Sequence, residues 1–345
     1  MNLPRRLLFR LATAETLAPA LRASGQGLLS ILTIHRFTDP EHEVVGHDPT
    51  AIRDHLAYLR RHRYQLLSLT DAFRLLDNGG GGSTAPAVAF TVDDGYDDFI
   101  RVGAPIFAEY DCPVTVFVPT GFLDGQLWLW WDRVVYLFKH TRRASLQLEL
   151  GPEPRPYRWA TPGAQARVQD EILERLEGVS ARQREAAIAS LCRQLDVELP
   201  PRPPSTFAPL SWDDVRRAAR QGVTFGPHTV THPILPLETQ DVCHWEIQES
   251  YRRLRQETDA VVPVFCYPGG RAGERELEAT HRAGFEAAVT TIPGYAAPHS
   301  VQDRGPLGRF SIPRFPCPED RPHLVNVVTG LARLTGRFRR QRRKA

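Results

Sequence analysis

The chain has 345 residues, 42% of them apolar and 24% charged, and its formal net charge at pH 7 is +3. These values are ordinary for a globular protein and exclude a disordered chain, a collagen or a coiled coil as the whole molecule. The length accommodates one large α/β domain or two smaller domains. Charge is unevenly distributed, because residues 1–22 carry a net +3, residues 321–345 carry eight basic side chains and no acidic one, and the body between them is acidic.

Five cysteines are scattered along the chain, and none forms a Cys-x-x-Cys pair: Cys112, Cys192, Cys243, Cys266 and Cys317. Their odd number predicts free thiols in a reducing compartment, not a disulfide framework or a cysteine zinc site. No apolar run approaches the length of about 18 residues that a transmembrane helix needs. Arg10 interrupts the apolar stretch after the basic N-terminus, so we expect no signal peptide and a cytoplasmic location.

The predicted elements begin with residues 1–27, where leucines recur at helical spacing and predict an amphipathic segment. From residue 28 onward, apolar runs typical of buried strands alternate with helical periods. They predict a strand at 28–35, a helix at 49–64, a short helix capped by Thr70, a strand at 87–92, a helix at about 97–110 and a strand at 114–118. This alternation is typical of a parallel α/β sheet or barrel.

The alternation stops between about residues 123 and 206, which we interpret as a mostly helical insertion into the α/β core. Trp128, Trp130 and Trp131 in this stretch either stack on sugar rings or pack the core of the insertion. A strand-like run at 146–150 and helical runs near 165–177 and 181–195 follow. The α/β pattern then resumes with a capping box at 211–214, strands at 223–225, 262–267 and 287–290, and helices at 240–257 and 274–283.

The first segment with chemical character is Asp93-Asp94-Gly95, directly after the predicted strand at 87–92. Two adjacent carboxylates at a strand end are costly unless a cation shares them, and a metal ion is the simplest such cation. Gly95 permits a sharp turn and a close approach of the backbone to a ligand. An ordinary acidic turn or helix cap is the alternative interpretation.

The second segment is a His-x-x-x-His loop made by His228 and His232 and bracketed by Pro227 and Pro233. Two histidines at this spacing can face one metal, and the flanking prolines favour a tight loop over a regular helix. Imidazole nitrogens with one carboxylate suit zinc, and also cobalt or nickel. The alternative is a pair of loop histidines with ordinary hydrogen-bond partners.

The third segment, Tyr267-Pro268-Gly269-Gly270, ends a further predicted strand. Its paired glycines permit close approach of the backbone to a substrate. A turn that ends a strand explains them equally well. This segment therefore indicates a functional site only together with the other two segments, because α/β sheets and barrels place their active sites at strand ends.

Taken together, the three segments predict one catalytic centre. Asp94, His228 and His232 would supply three ligands to a divalent metal and leave positions open for water and substrate. Such a metal lowers the pKa of bound water towards about 7. We expect Zn²⁺ as the cofactor, with Co²⁺ or Ni²⁺ as alternatives.

These motifs resemble those of the polysaccharide deacetylases of carbohydrate esterase family 4. TVDDG at 91–95 is similar to the family's first motif, TFDDG, and HTVTH at 228–232 matches its H-[ST]-x-x-H motif. CYPGG at 266–270 resembles a variant of its third motif. The resemblance implies a distorted (β/α)7 barrel over residues 28–320, interrupted by the insertion at about 123–206, and metal-dependent removal of N- or O-acetyl groups from sugars.

The resemblance also implies a role for each motif residue. Asp93 would be the general base, while Asp94, His228 and His232 would bind the metal. The backbone N–H of Tyr267 would help to hold the oxyanion.

Two parts of the family pattern have no direct match. The arginine that opens the third motif is absent, so Arg314 is the first candidate to orient the base and Arg271 the second. The late histidine that acts as general acid is also unmatched, which leaves His35 and His299 as candidates beside water or Asp93 itself. The predicted substrate-binding residues are His35, Tyr96, Pro268 and Gly269.

The sequence therefore predicts a hydrolase that removes acetyl groups from a polysaccharide, an oligosaccharide or a lipid-linked sugar in bacterial cell-envelope or exopolysaccharide metabolism. One alternative is a deformylase or amidase acting on another C–N bond. The other is a catalytically weak carbohydrate-binding homologue. We expect no nucleic-acid partner, since the preference for arginine over lysine is explained by genome composition.

The last predicted element is a basic helix and tail at residues 321–345, where apolar residues recur at helical spacing. A basic amphipathic helix can bind an anionic membrane surface, which predicts peripheral contact with the inner membrane face. Alternatively, this helix docks on the barrel and ends in a solvated tail.

Overall fold

The structure, a computed structural model, describes residue 25 and residues 27–77, 86–125, 127–151, 153–296 and 306–333. The strands in these ranges are β1 Leu29–Ile34, β2 Gln65–Leu66, β3 Ala87–Val92, β4 Val114–Val118, β5 Ser145–Leu148, β6 Arg155–Arg158, β7 Thr224–Pro227, β8 Val264–Cys266, β9 Ala287–Val289 and β10 Phe315–Pro316. The predicted strands at 87–92 and 114–118 are confirmed residue for residue. The other predicted strands begin or end within a few residues of their predicted limits, whereas β2 and β6 have no predicted counterpart.

The α-helices of the described residues are α1 Pro49–Arg61, α2 Leu69–Asp77, α3 Ala104–Glu109, α4 Thr120–Leu123, α5 Trp130–His140, α6 Pro162–Glu177, α7 Ala181–Leu195, α8 Trp212–Ala219, α9 Gln240–Glu257, α10 Glu274–Arg282 and α11 Arg321–Val328. A π-helical turn, Phe99–Gly103, precedes α3. The capping box predicted at the start of α8 is present, with Ser211 and Asp214 bonded reciprocally. The assignment of Thr70 as a cap is wrong, because Thr70 lies inside α2 and the Ser68 hydroxyl accepts from the Asp71 N–H at 3.1 Å.

Seven parallel strands form a closed ring. β10, β1, β3, β4 and β7 are neighbours in that order, and β8 pairs with β9. Two single parallel bridges complete the circle, from Phe225 to Val261 ahead of β8 and from Val289 to Ile312 ahead of β10. This is the expected distorted (β/α)7 barrel, and the distortion lies at these two joins, where a single bridge replaces a full strand pairing.

The barrel strands form where the sequence is continuously apolar. Every residue of β1, β3 and β4 is buried, as expected for strands that are covered on both faces. All seven strands are parallel, so their carboxyl ends meet at one edge of the barrel. His35, Asp93, His228 and Tyr267 are the residues that directly follow β1, β3, β7 and β8. The topology therefore gathers the three sequence segments at this edge.

Between β4 and β7, the stretch from α5 to α7 forms a unit with its own packing. α5, α6 and α7 enclose a hydrophobic cluster with the antiparallel hairpin of β5 and β6, separate from the clusters of the barrel. Trp128 belongs to the packing, since it is 8% exposed and contacts Tyr136 and Phe207. Trp130 and Trp131 instead reach the edge of the barrel where the strand ends meet.

The start of the predicted C-terminal helix is described, and it packs inward. Leu324, Val325 and Val328 of α11 are at most 1% exposed and belong to the main barrel core. Their apolar side chains therefore do not face outward towards a membrane, in agreement with the docked alternative. Residues 334–345 and most of the predicted segment at 1–27 lie outside the described residues, as does His299. No helix in the described part of the chain is long and apolar enough to cross a bilayer.

Candidate active site

A cavity of about 610 Å³ opens at the carboxyl edge of the barrel. Strand ends supply part of its wall: His35, Arg36, Asp93, Asp94, Tyr96, His228, His232, Tyr267, Gly269 and Thr291. The inserted unit supplies another part: Trp130, Trp131, Asp132, Leu173, Glu174 and Glu177. The three predicted motif segments therefore share one cavity, and the insertion closes it on one side.

The acidic pair sits on a sharp turn that the sequence makes possible. Asp94 and Gly95 adopt φ of 73° and 71°, so the chain reverses directly after β3. A side chain at position 95 would also bring its Cβ within 2.9 Å of Val118. Glycine is therefore required there for both the left-handed conformation and the space.

Three side chains converge at the geometry of a metal centre. The Oδ1 atom of Asp94 lies 3.5 Å from Nε2 of His228 and 3.5 Å from Nε2 of His232, and the two nitrogens are 3.2 Å apart. Tetrahedral zinc with its usual bond lengths separates neighbouring ligand atoms by about 3.3–3.5 Å. The residues present therefore fit a divalent metal, and the chemistry of the donor set, two imidazoles and one carboxylate, suits zinc.

The surroundings orient these ligands. Nδ1 of His228 lies 2.7 Å from the Cys266 carbonyl, which accepts only, so Nδ1 carries the proton and Nε2 is left with a lone pair. His232 packs edge-on against the Trp131 ring at 4.7 Å. Burial works to raise the pKa of Asp94, but its interactions with the neighbouring imidazoles of His228 and His232 outweigh burial and hold that pKa well below its usual value. The carboxylate is thus ionised and ready to bind a cation.

A second group of possible metal ligands is Asp93, His228 and Cys266. Both carboxylate oxygens of Asp93 are already engaged, because Arg314 donates to them in a bidentate pair at 2.8 and 2.7 Å. The set centred on Asp94 is therefore the better metal centre.

Arg314, the first candidate to orient the base, lies against Asp93. Its side chain is fully buried, and it also donates to the Thr91 hydroxyl and the Thr290 carbonyl. Burial would raise the pKa of Asp93, but the positive charge and hydrogen bonds of Arg314 lower it below its usual value. Arg271, the second candidate, is an exposed residue outside the cavity wall.

His35 is the described candidate for the general acid. Its side chain is half exposed in the cavity, and Nε2 lies 4.0 Å from Oδ2 of Asp93. The N–H of Tyr267, predicted to hold the oxyanion, donates to the Val289 carbonyl at 3.4 Å. That role therefore stays a prediction, and it requires this long hydrogen bond to open.

The remaining predicted substrate contacts differ in their access to the cavity. Tyr96 forms part of the wall, but its hydroxyl donates to Asp132 at 2.6 Å and accepts from the Trp131 indole at 2.9 Å. Gly269 is exposed in the wall, whereas Pro268 is buried and does not line the cavity. The structure therefore leaves Gly269 more accessible to a ligand than Tyr96 or Pro268.

Two residues of the site were not identified from the sequence. Asp132 is 4% exposed and lines the cavity, and burial raises its pKa to about 7. The Trp-Trp-Asp run was the available signal, but no spacing ties it to the metal motifs. Glu246 on α9 is buried beneath the His-x-x-x-His loop. The feature of the sequence that points to Glu246 is a carboxylate on the buried face of a predicted helix, beside Cys243, Ile247 and Ser250.

Comparisons with known proteins identify the family of the chain. A family model described as polysaccharide deacetylase matches residues 80–288, more than half of the chain. Among curated proteins, YxkH of Bacillus subtilis (strain 168), assigned by name to the polysaccharide deacetylases, is 27% identical over 88 residues. That match covers 26% of this chain and 32% of YxkH, so the chain spans about a third of this relative.

Solved structures share the fold. The Streptococcus pyogenes deacetylase PplD in complex with acetate is 19% identical, with a TM-score of 0.56 over 87% of this chain and 98% of that one. IcaB from Ammonifex degensii is 15% identical, with a TM-score of 0.53 over 88% of this chain and 97% of that one.

Proposed function

The chain belongs to the polysaccharide deacetylase family, and we propose that it is a metal-dependent hydrolase that removes an acetyl group from a carbohydrate. The observation that carries the proposal is the pairing of two differently equipped carboxylates in one cavity. Asp94 meets two histidines at metal-ligand spacing, while Asp93 is held by Arg314. One carboxylate is thus arranged to bind a cation and the other to accept a proton.

Asp94, His228 and His232 would hold the metal. A divalent metal bound there would act as a Lewis acid and lower the pKa of a coordinated water towards about 7. We take Zn²⁺ as the cofactor because the donor set suits it, with Co²⁺ or Ni²⁺ as alternatives.

Asp93 accepts the proton of the attacking water. The bidentate contact with Arg314 fixes its orientation and keeps it ionised in a buried setting. The water oxygen bonds to the acetyl carbon, the bond from that carbon to the sugar nitrogen or oxygen breaks, and acetate leaves. His35, at the mouth of the cavity and 4.0 Å from Asp93, is placed to protonate the departing amine or hydroxyl.

The substrate we propose is an acetylated sugar of a polysaccharide, an oligosaccharide or a lipid-linked intermediate in cell-envelope or exopolysaccharide metabolism. Trp130 and Trp131 of the inserted unit line the cavity and provide aromatic surface for a sugar ring. We propose a cytoplasmic location, which cell fractionation tests. Within the C-terminal segment, the peripheral membrane contact that we propose rests on the basic side chains of residues 334–345, since the apolar side chains of α11 are buried.

The test measures metal content and product release together. Purified protein loaded with Zn²⁺ is assayed for acetate and for formate with acetylated and formylated amino sugars. Asp93→Asn should lower acetate release by about 10²–10⁴-fold, because the proton acceptor is lost. Asp241→Asn, on the exposed start of α9, is the matched control and should leave the rate unchanged.

Each other outcome has a defined meaning. Acetate release that survives Asp93→Asn would overturn the assignment of the base. Formate release well above acetate release would favour a deformylase. Bound Zn²⁺ without release of either product would favour a carbohydrate-binding homologue.

A further inference from the structure

The loop that carries both metal-binding histidines is held in a costly conformation. Two of its residues, Thr229 and His232, adopt left-handed φ values of 68° and 56° although neither is glycine. Such conformations are unfavourable for residues other than glycine and persist only where the surroundings impose them. The loop has no regular secondary structure of its own. The Thr229 hydroxyl accepts from the His232 N–H at 3.0 Å, and neighbouring elements supply further hydrogen-bond partners.

The start of α4 binds one side of the loop. The N–H groups of Thr120 and Gly121 donate to the carbonyls of Thr229 and Val230 at 3.0 and 2.9 Å. These are the free N–H groups that begin every helix, used here to satisfy loop acceptors.

A single carboxylate binds the other side. Glu246 of α9, 2% exposed, accepts from the N–H groups of Val230 and Thr231 at 2.7 and 3.0 Å. The Thr231 hydroxyl donates to its other oxygen. Glu246 therefore accepts from every polar donor of Val230 and Thr231, two of the three residues between the histidines.

We propose that Glu246 is a positioning residue that presets His228 and His232 for the metal and thereby sets the metal affinity of the site. This inference rests on the metal-dependent function proposed above. Its physical basis is preorganisation. The two Nε2 atoms stand 3.2 Å apart, at hydrogen-bond distance, and the same separation suits two ligands of one cation. A loop free to relax would separate them, and metal binding would then have to restore the strained conformation.

The experiment compares Zn²⁺ affinity, measured on metal-stripped protein with a competing chelator, for the wild type, Glu246→Gln and Glu249→Gln. Glutamine keeps the size of the side chain but presents an N–H₂ group to loop donors. We expect a 10–100-fold loss of affinity, about the effect of removing a supporting contact from a metal ligand. Glu249, one turn further along α9, pairs with Arg252 at the surface, and its variant should stay within about twofold of the wild type.

A merely structural role would lower the melting temperature of metal-free Glu246→Gln without changing the Zn²⁺ affinity of the folded protein, and that result would overturn the inference. If Glu246→Gln does not fold, Thr231→Val removes one of the three hydrogen bonds. Unchanged Zn²⁺ affinity in Thr231→Val would then overturn the inference.

Failure of the proposed function gives a different result. Wild-type protein that binds Zn²⁺ but releases no acetate would remove the function and leave the role of Glu246 intact. Wild-type protein that takes up no Zn²⁺ would remove this inference.

Discussion

The pairing of Asp93 with Arg314 illustrates how one residue's chemistry depends on another 221 positions away. Both side chains are buried, so neither charge is tolerable without the other. Arg314 also contacts Cys266 and Thr91, which fixes the guanidinium plane against the carboxylate. The arginine thus supplies both the ionisation state and the orientation that a general base needs.

Arg314→Met should therefore move the pH dependence of activity. Burial alone raises the pKa of Asp93 and Arg314 is the main group that lowers it, so the pKa rises when the arginine is removed. The base works only when ionised, and the acidic limb of the kcat/KM profile should shift to higher pH. The variant should also lose about 3–5 kcal/mol of stability. Assays from pH 5 to 9 test this, with Arg309→Met, at a surface ion pair with Asp77, as the control.

An acidic limb at the same pH in wild type and Arg314→Met would show that Arg314 does not control the base. A parallel fall of activity at all pH values would point to lost folding alone.

A second residue-scale prediction concerns Asp132. Burial raises its pKa to about 7 in the folded chain, so between about pH 4 and 7 the folded state binds more protons than the unfolded state. The free energy of unfolding must therefore fall as pH rises through this window, by up to about 4 kcal/mol for this one group. Asp132→Asn cannot ionise and should escape that loss. It should gain stability relative to the wild type on going from pH 5 to pH 8.

Urea unfolding of chelator-treated protein at the two pH values measures the difference. Asp170→Asn, an exposed change on α6 of the same inserted unit, should show no such pH-dependent gain. No larger gain in Asp132→Asn than in Asp170→Asn would mean that Asp132 does not ionise between pH 5 and pH 8.

The motif residues were predictable from sequence because each ligand lies within a short segment at a strand end. His228 and His232 belong to one loop, and Asp93 and Asp94 are adjacent. Residues that reach the site from other elements lack that signal. Arg314 was a candidate only because the resemblance required an arginine, and Asp132 and Glu246 become recognisable only when folding brings α5 and α9 to the strand ends.

At the scale of elements, α4 is a short helix whose start is shaped to fit the histidine loop. A Cβ on Gly121 would lie 2.8 Å from the Val230 carbonyl oxygen, in the path of the hydrogen bond between them. Glycine is therefore needed here for close approach of two backbones and not for an unusual φ.

Gly121→Ala should push the loop away from α4. We expect a loss of about 1–3 kcal/mol of stability, typical of overpacking, together with weaker Zn²⁺ binding. Gly163→Ala is the matched control, because its Cβ would find its nearest neighbour at 3.9 Å, and helix propensity predicts a gain of up to about 1 kcal/mol in α6. Denaturant unfolding and Zn²⁺ titration of both variants test this. Normal Zn²⁺ affinity in Gly121→Ala would show that the loop does not depend on α4.

Elements with strong periodicity were predicted closely from the sequence. Buried strands such as β3 and β4 are continuous apolar runs, and α7 and α9 carry clear helical patterns, so their bounds agree with prediction. The π-helical turn Phe99–Gly103 was read as ordinary helix, because its apolar spacing does not distinguish the two. Strand β6, Arg155–Arg158, was missed since three of its four side chains are exposed and only pairing with β5 defines it.

At the scale of the whole molecule, the small net charge conceals an uneven distribution of charge along the chain. The body, which has a net negative charge, forms the barrel and the cavity, and the excess of basic over acidic residues lies at the two ends of the chain. Within the C-terminal part of the chain, α11 belongs to the barrel core. Helical periodicity could not distinguish a face buried on the protein from one offered to a membrane, since both need the same apolar spacing.

The closed ring also links metal binding to global stability. Asp94 follows β3 and the histidines follow β7, and β4 lies between these strands, so a metal held by all three side chains would tie together strand ends on both sides of β4. A ligand that binds only the folded state at a free concentration 100 times its Kd adds about 2.7 kcal/mol to the free energy of unfolding. For a chain of this length, that is a rise of about 4 °C in melting temperature. Melting curves with excess Zn²⁺ and with a chelator measure the difference. In Asp94→Asn, which loses the charged ligand, it should vanish, and an undiminished rise in that variant would place the stabilising metal elsewhere in the molecule.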